Sequence, residues 1–178
     1  MSCPVHKLIF AALTILIMAC SIGNASASPI NWRDILQVGV SCSGLPGELI
    51  FAVILNESGG NPNAVNVNGY GSYSPSTPEQ ALRYMYRLDR ANVDIGLMQV
   101  NWLTWGRVYR LSPADLLNPT TNICVGSRIL KNYIAEHHMT WRGVGRYNAV
   151  SHDKQEAYAY RIARTVQIIQ KIFRRAEN

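Results

Sequence analysis

The apolar residues of this chain recur mostly at spacings typical of helices. The clearest block is the uninterrupted apolar run at residues 49–55, which only Asn56 separates from Glu57. Pro46 suits a first helical position, and Gly59-Gly60 suits a C-terminal stop. The pattern therefore predicts a short buried helix that carries Glu57 in its last turn.

The remaining pattern predicts further helices separated by long loops. Proline or a capping residue precedes several periodic segments, and the last of these, about residues 153–174, has an apolar face along one side. Residues 66–76 are dense in Gly, Ser, Asn and Tyr without a helical period, which predicts a loop. We therefore expect a mainly α chain that forms a single compact helical domain. The predicted helices begin near Asn31 (running to about residue 38), Pro46, Thr77, Ser112, Asn118 and Asp153.

Glu57 would lie at an unfavourable helix end for an acid. The helix dipole places partial negative charge there, and apolar neighbours withdraw water from the carboxyl group, so both effects favour the protonated form. A carboxyl group that stays protonated near neutral pH can act as a general acid. The alternative is an exposed, frayed helix end at which Glu57 is fully solvated.

The N-terminal residues have the composition of an export signal. Residues 1–7 carry the early charge, residues 8–19 are apolar, and Ala25-Ser26-Ala27 is a small-residue cleavage site. We therefore assign residues 1–27 to a signal peptide and residues 28–178 to the mature domain. There are two alternatives. One is an uncleaved membrane anchor, for which the apolar stretch is short; the other is a lipoprotein processed at Cys20, which follows a loose lipobox.

The cysteine positions predict one disulfide in the mature domain. Cleavage after Ala27 removes Cys3 and Cys20 and leaves Cys42 and Cys124 as the only pair. In an oxidising compartment, two cysteines on one small domain most simply pair with each other. Closing a loop of this length stabilises a fold by about 4 to 5 kcal/mol in the chain-entropy model. Two separately buried thiols are the alternative.

Composition limits the classes of function that fit. A chain of 178 residues with 48% hydrophobic residues can bury one good core. Its formal charge of +6 suits an anionic polymer, but the chain has no nucleic-acid-binding motif and the export signal argues against nucleic acid as a partner. His137-His138 lack the spacing of metal ligands, and the sequence has no serine-hydrolase elbow. We expect neither a metal nor a cofactor.

Residues 94–101 carry amide groups suited to sugar binding. Gln99 and Asn101 could face one cleft if the chain is locally extended, and their donors and acceptors match the hydroxyl and N-acetyl groups of sugars. On its own, the octapeptide also fits a buried helix start, with Asp94 as its cap and Met98 as core filler.

Residues 146–149 contribute an aromatic residue and another amide. The hydroxyl of Tyr147 could steer the proton of a nearby carboxyl group. Taken alone, Tyr147 fits a partly buried aromatic residue equally well.

Together, three polar segments resemble a known enzyme family. Residues 57–62 (Glu-Ser-Gly-Gly-Asn-Pro), 96–101 (Gly-Leu-Met-Gln-Val-Asn) and 147–149 (Tyr-Asn-Ala) are similar, in order and spacing, to the motifs of lytic transglycosylases of the soluble-transglycosylase type, family 23. The resemblance covers about residues 45–168. It implies an α+β lysozyme-like fold with a substrate cleft and room for a small β-hairpin or irregular lobe. It also implies cleavage of the bond between N-acetylmuramic acid and N-acetylglucosamine in peptidoglycan.

The resemblance implies roles for particular residues. Glu57 matches the catalytic acid/base of the family. Arg146 stands where the family often has a small residue and Val150 where it often has glycine, so we expect the local turn to differ. The substrate-binding residues that the resemblance implies are Ser58, which would contact the carboxyl group of Glu57, Met98, which would line the cleft, and Gln99, Asn101, Tyr147 and Asn148.

A lone glutamate is enough for the lytic reaction that the resemblance implies. It protonates the leaving oxygen and then, as a carboxylate, takes the proton of the sugar's own 6-hydroxyl, which closes a 1,6-anhydro ring. Ordinary hydrolysis needs two carboxylates, and no second one is evident in the sequence. Asp94 is the nearest candidate, although a helix cap explains it equally well. The alternatives are a hydrolytic muramidase and a non-catalytic scaffold that binds the wall.

Three features are similar to those of specialised members of the family that accompany conjugation, type III or type IV secretion and pilus assembly. These features are the small size, the export signal and the Asp94 that precedes the second motif. The implied partners are peptidoglycan strands and components of such an apparatus. We expect a periplasmic monomer.

Overall fold

Helices make up most of the architecture, and a small sheet completes it. The structure is a computed structural model that describes residues 30–87 and 92–176. Its helices are α1 (Trp32–Ser43), α2 (Gly47–Ser58), α3 (Pro78–Arg87), α4 (Arg107–Tyr109), α5 (Pro113–Leu117), α6 (Pro119–Glu136), α7 (Trp141–Asn148) and α8 (His152–Ala176). A π-helical segment, Trp102–Gly106, precedes α4. The strands are β1 (Val65–Val67), β2 (Gly71–Tyr73), β3 (Val93–Ile95) and β4 (Val100–Asn101).

The core is built around α2, the helix predicted from the apolar run. Residues 50–54 are at most 2% exposed, and the helix packs against α1 and α8. It starts directly after Pro46 and ends at Gly59, whose φ of 61° suits glycine. The predicted buried helix with Glu57 in its last turn is confirmed.

Capping residues define the starts of α5 and α6, as predicted. The Ser112 hydroxyl accepts from the backbone N–H of Asp115, and the Asp115 carboxylate accepts in return from the backbone of Ser112. Asn118 caps α6 by accepting from the N–H of Thr121. These contacts, reciprocal only for Ser112 and Asp115, pair backbone donors that a helix start leaves unsatisfied.

Helix α1 extends further than predicted, to Ser43 instead of about residue 38. The prediction was too short because the added turn still packs inward. A Cβ atom on Gly39 would lie 2.7 Å from a side-chain carbon of Ile123 in α6. The longer helix brings Cys42 to Cys124, and the two form a disulfide with Cα atoms 5.4 Å apart. The predicted disulfide is therefore present and joins α1 to α6.

The four strands form an antiparallel sheet in the order β2-β1-β3-β4. Strands β1 and β2 make a hairpin with Val65 opposite Tyr73, so the interpretation of residues 66–76 purely as a loop was wrong. Three-residue strands have too little alternation to be recognised in the sequence. Pairing of β1 with β3 sets Asn66 opposite Asp94. The mainly α domain with a small β-hairpin lobe agrees with the predicted lysozyme-like fold class.

The β3–β4 hairpin contradicts the interpretation of residues 94–101 as a helix start. Asp94 lies within β3 and does not cap a helix. The connecting turn includes Gly96 and Gln99, both with positive φ. The buried side chain of Asn122 in α6 holds this turn, because it donates to the carbonyl of the last residue of β3 at 2.7 Å and accepts from the Met98 N–H at 2.8 Å. A distant residue therefore stabilises a conformation that the local sequence does not specify.

Residues 1–27, which we assign to the signal peptide, lie outside the described residues together with Cys3 and Cys20. Within the part of the chain that the structure describes, no single helix is long and apolar enough to cross a membrane. Helices α1 and α2 pass such a test only as a pair, which bends by 112° at their junction.

Candidate active site

A cleft of about 660 Å³ is lined by the sheet, by α6 and α7, and by the end of α2. Its volume lies in the range of small-molecule sites. The sheet side contributes mainly amides and one carboxylate, whereas the helices contribute the carboxyl group of Glu57, aromatic residues, an arginine and one amide. The principal lining residues are Glu57, Asn66, Asn68, Asp94, Gln99, Asn101, Tyr133, Arg146, Tyr147 and Asn148.

Glu57 is partly buried in the wall of this cleft. The Tyr158 hydroxyl donates a hydrogen bond of 2.5 Å to its Oε1 atom. Burial raises the pKa of Glu57 from 4.5 to about 7, and the charge of Asp94 adds to the rise. The bond from Tyr158 and the charge of Arg161 lower this pKa and offset part of the effect. The carboxyl group is therefore partly protonated at neutral pH.

Tyr158 is a site residue that the sequence analysis missed. It lies on α8, is 2% exposed, and is 101 residues from its partner Glu57. Burial first, and then the charge of Glu57, raises the pKa of Tyr158, so its hydroxyl stays protonated and can only donate to the carboxylate. A sequence signal did exist, because Tyr158 precedes Ile162 by four positions on the apolar face predicted for this helix.

Tyr147 does not have the contact that we expected. Its hydroxyl donates to the backbone carbonyl of Met98 at 2.7 Å, whereas Tyr158 supplies the hydroxyl at Glu57. Burial, followed by the nearby charge of Glu57, raises the pKa of Tyr147. Tyr147 thus ties α7 to the β3–β4 turn and lines the cleft.

Met98 and Ser58 lie behind the cleft surface. The Met98 side chain is fully buried and packs so closely on α6 that a Cβ atom on Gly126 would be 2.7 Å from its sulfur. The prediction that Met98 lines the cleft is therefore wrong. The Ser58 hydroxyl donates to the Leu97 carbonyl at 2.8 Å and accepts from the N–H of Gly60. It connects the end of α2 to the turn instead of contacting the Glu57 carboxyl group, as we had expected.

The three predicted amide residues all line the cleft. The Gln99 side chain donates to the carbonyls of Ala64 and Gly96 at 3.0 and 2.9 Å. Asn101 accepts from a backbone N–H of the π-helical segment at 3.0 Å, and Asn148 is exposed at the end of α7. Their role in substrate binding stays a prediction.

Asp94 provides a second carboxylate in the cleft; the sequence analysis named it as the nearest candidate but left a helix cap as an equal explanation. Asn101 donates to its Oδ1 at 2.7 Å. Asn66 and Asn68 donate to its Oδ2 at 3.0 and 3.1 Å. Four strand and loop residues that are far apart in sequence thus form one polar network on the cleft side of the sheet. Three amide donors hold the carboxylate in a single orientation.

Comparison with known families gives a match that covers most of the chain. Residues 39–169 match the family model of the transglycosylase SLT domain. The chain belongs to this family. The SLT domain extends from the second half of α1 into α8 and includes Glu57, Asp94, Tyr147 and Tyr158.

Curated relatives of this SLT domain include invasion protein IagB of Salmonella typhi. It is 25% identical over 138 residues, which cover 76% of this chain and 74% of the relative. Invasion protein IagB of Salmonella typhimurium, in strains SL1344 and LT2, has the same identity and coverage. No solved structure matches the chain significantly.

Proposed function

We propose that this SLT domain is a peptidoglycan lytic transglycosylase that cleaves the β-1,4 bond between N-acetylmuramic acid and N-acetylglucosamine without water. The observation that carries the proposal is the environment of Glu57. This partly buried glutamate in a polar cleft has a pKa of about 7 and accepts from a tyrosine hydroxyl. Because both of its protonation states are populated near neutral pH, it can act as an acid in one step and a base in the next.

The proposed reaction uses Glu57 twice. In the first step, its carboxyl group donates a proton to the leaving glycosidic oxygen, while the substrate N-acetyl group stabilises the oxocarbenium-like sugar. In the second step, the carboxylate takes the proton of the 6-hydroxyl of the same sugar, whose oxygen bonds to C1 and closes the 1,6-anhydro ring. The hydrogen bond from Tyr158 stabilises the carboxylate between these steps.

We assign substrate contacts to the polar residues that line the cleft, namely Gln99, Asn101, Tyr147 and Asn148. Met98 and Ser58 act indirectly. The Met98 carbonyl accepts from Tyr147, and Ser58 connects the end of α2, which carries Glu57, to the β3–β4 turn.

A hydrolytic muramidase is the second candidate, and the position of Asp94 in the same cleft favours it. Hydrolysis requires a second carboxylate that activates water or acts as a nucleophile. However, three amide groups donate to Asp94, and a carboxylate offers only about four acceptor positions. Because most of this capacity is used within the sheet, Asp94 is better suited to stabilising nearby positive charge than to activating water.

Two substitutions separate these candidates. Glu57→Gln should abolish release of glycan fragments from purified peptidoglycan. Asp94→Asn should retain anhydro products at a lower rate, and the alkaline limit of its pH-rate profile should move to lower pH because Asp94 raises the pKa of Glu57. Loss of activity as complete as in Glu57→Gln would favour the muramidase. Full activity of Glu57→Gln would contradict the role assigned to Glu57 in either enzyme. No cleavage by the wild type, with retained binding to peptidoglycan, would favour the non-catalytic scaffold.

We also propose that the mature domain works as a monomer in the periplasm and opens the wall locally for a secretion, conjugation or pilus apparatus. The composition of residues 1–27, the disulfide and the similarity to proteins named invasion protein support this proposal. Cell fractionation with N-terminal sequencing should recover a periplasmic chain that starts at Ser28. A membrane-bound chain that starts with lipidated Cys20 would indicate the lipoprotein instead.

A further inference from the structure

Arg146 is a cationic residue in the catalytic cleft that the proposed reaction does not use. It lies on α7 next to Tyr147, is partly buried and lines the same cavity as Glu57. Its guanidinium carbon is 5.2 Å from the centre of the Tyr133 ring, a distance typical of a cation–π contact. Trp105 supports this ring from the side, edge-on, with centroids 6.1 Å apart. The aromatic residues therefore restrict where the guanidinium group can lie.

Helix capping uses little of the hydrogen-bonding capacity of Arg146. Its Nη1 atom donates to the Ala149 carbonyl at 3.4 Å, which is longer than a typical N–H···O bond. A guanidinium group has five N–H donors. Among the residues that the structure describes, no carboxylate lies within ion-pair distance of Arg146. Most of its donors thus remain available in the cleft.

The cleft also contains Asp94 and, when it is ionised, the carboxylate of Glu57; their negative charges repel an anionic ligand group unless a cation receives it. Muramic acid residues carry such groups, since each has a lactyl ether whose carboxyl group is either free or linked to a stem peptide with carboxylates of its own. The planar fork of arginine matches a carboxylate in bidentate geometry.

We propose that Arg146 binds a carboxylate carried by the muramic acid side of the substrate, and so determines specificity for glycan strands according to their lactyl or peptide substituents. The proposal rests on the proposed function, because it takes peptidoglycan as the ligand. Arg146 contacts substrate away from the reacting atoms, and its effect appears in binding.

The test compares three forms of one glycan preparation. The first form carries stem peptides. In the second, an amidase has removed the peptides and left free lactyl carboxylates. In the third, the carboxyl groups of peptide-bearing strands are converted to neutral amides. Arg146→Met keeps a linear side chain on Tyr133 and removes the charge, whereas Arg146→Lys keeps the charge and loses the fork. The matched control is Arg142→Ala, an exposed arginine one turn earlier on α7 that does not line this cleft.

We expect Arg146→Met to lower affinity and kcat/KM about ten- to hundredfold on at least one of the two forms that carry carboxylates. Arg146→Lys should show a smaller loss on that form, and Arg142→Ala should show none. On the amidated strands, wild type and variant should be equal. A loss confined to peptide-free strands identifies the lactyl carboxylate, and a loss confined to peptide-bearing strands identifies the stem peptide. An equal loss on all three forms, or no loss on any, would overturn the inference.

Binding measured in the Glu57→Gln background distinguishes failure of this inference from failure of the proposed function. If the wild type cleaves no form of the substrate, the proposed function fails. The affinity difference caused by Arg146→Met still tests carboxylate recognition in that case.

Discussion

Ionisation of Glu57 should destabilise the fold, and a glutamine at this position should remove that cost. Burial raises the pKa of Glu57 to about 7, compared with an ordinary value of 4.5. Because the folded chain keeps a proton that the unfolded chain releases, the associated stability is fully present below pH 4.5 and is lost as the pH rises to about 7. At 1.36 kcal/mol per pKa unit, the difference between the folded and unfolded pKa of Glu57 corresponds to about 3 kcal/mol in the free energy of unfolding. Partial solvent access to the carboxyl group reduces this loss to about 2 to 3 kcal/mol.

The assay is urea denaturation of wild type and Glu57→Gln with the disulfide intact. Glutamine has a similar shape, and its amide oxygen can accept the hydrogen bond from Tyr158. The two proteins should be equally stable near pH 4, whereas near pH 8 the variant should be more stable by about 2 to 3 kcal/mol. Glu136→Gln, at an exposed residue of α6, is the control and should show no such pH dependence. A difference between wild type and Glu57→Gln that is the same at both pH values would refute the reasoning.

Three further substitutions test other parts of the account. Tyr158→Phe removes a bond that lowers the pKa of Glu57, so the alkaline limb of the pH-rate profile should move up by about one pH unit or more; an unmoved limb would contradict this assignment. Asn122→Ala leaves buried backbone groups of the β3–β4 turn unpaired. It should lower the free energy of unfolding, measured by urea denaturation, by about 2 to 4 kcal/mol and should reduce activity. Serine at both Cys42 and Cys124 should lower the free energy of unfolding by about 4 to 5 kcal/mol and leave the pH-rate profile in place, because neither residue lines the cleft.

The sequence predicted the features that depend on neighbouring residues. The apolar run and its glycine stop defined α2 and placed Glu57 in its last turn. The capping residues Ser112 and Asn118 marked the starts of α5 and α6. The disulfide followed from counting the cysteines of the mature domain. Each of these depends on local chemistry or on a small number of possible partners.

The features that were missed depend on contacts between distant residues. Tyr158 reaches Glu57 across 101 residues, and its spacing from Ile162 indicates only that it faces inward, not that it pairs with Glu57. The sequence could not decide between a helix cap and a second carboxylate for Asp94, because its strand has only three residues and the distant Asn122 on α6 holds the neighbouring turn. Met98 was expected in the cleft because a motif gives the order of side chains but not the side of the turn to which each one points.

The central claim is that one glutamate cleaves the glycan without water, and analysis of the product ends tests it most directly. The purified mature domain, residues 28–178, would digest peptidoglycan in heavy-oxygen water, and mass spectrometry would identify the muramic acid end of each fragment. Our account predicts 1,6-anhydromuramic ends that carry no heavy oxygen. Reducing muramic acid ends that contain heavy oxygen would contradict it and would establish hydrolysis.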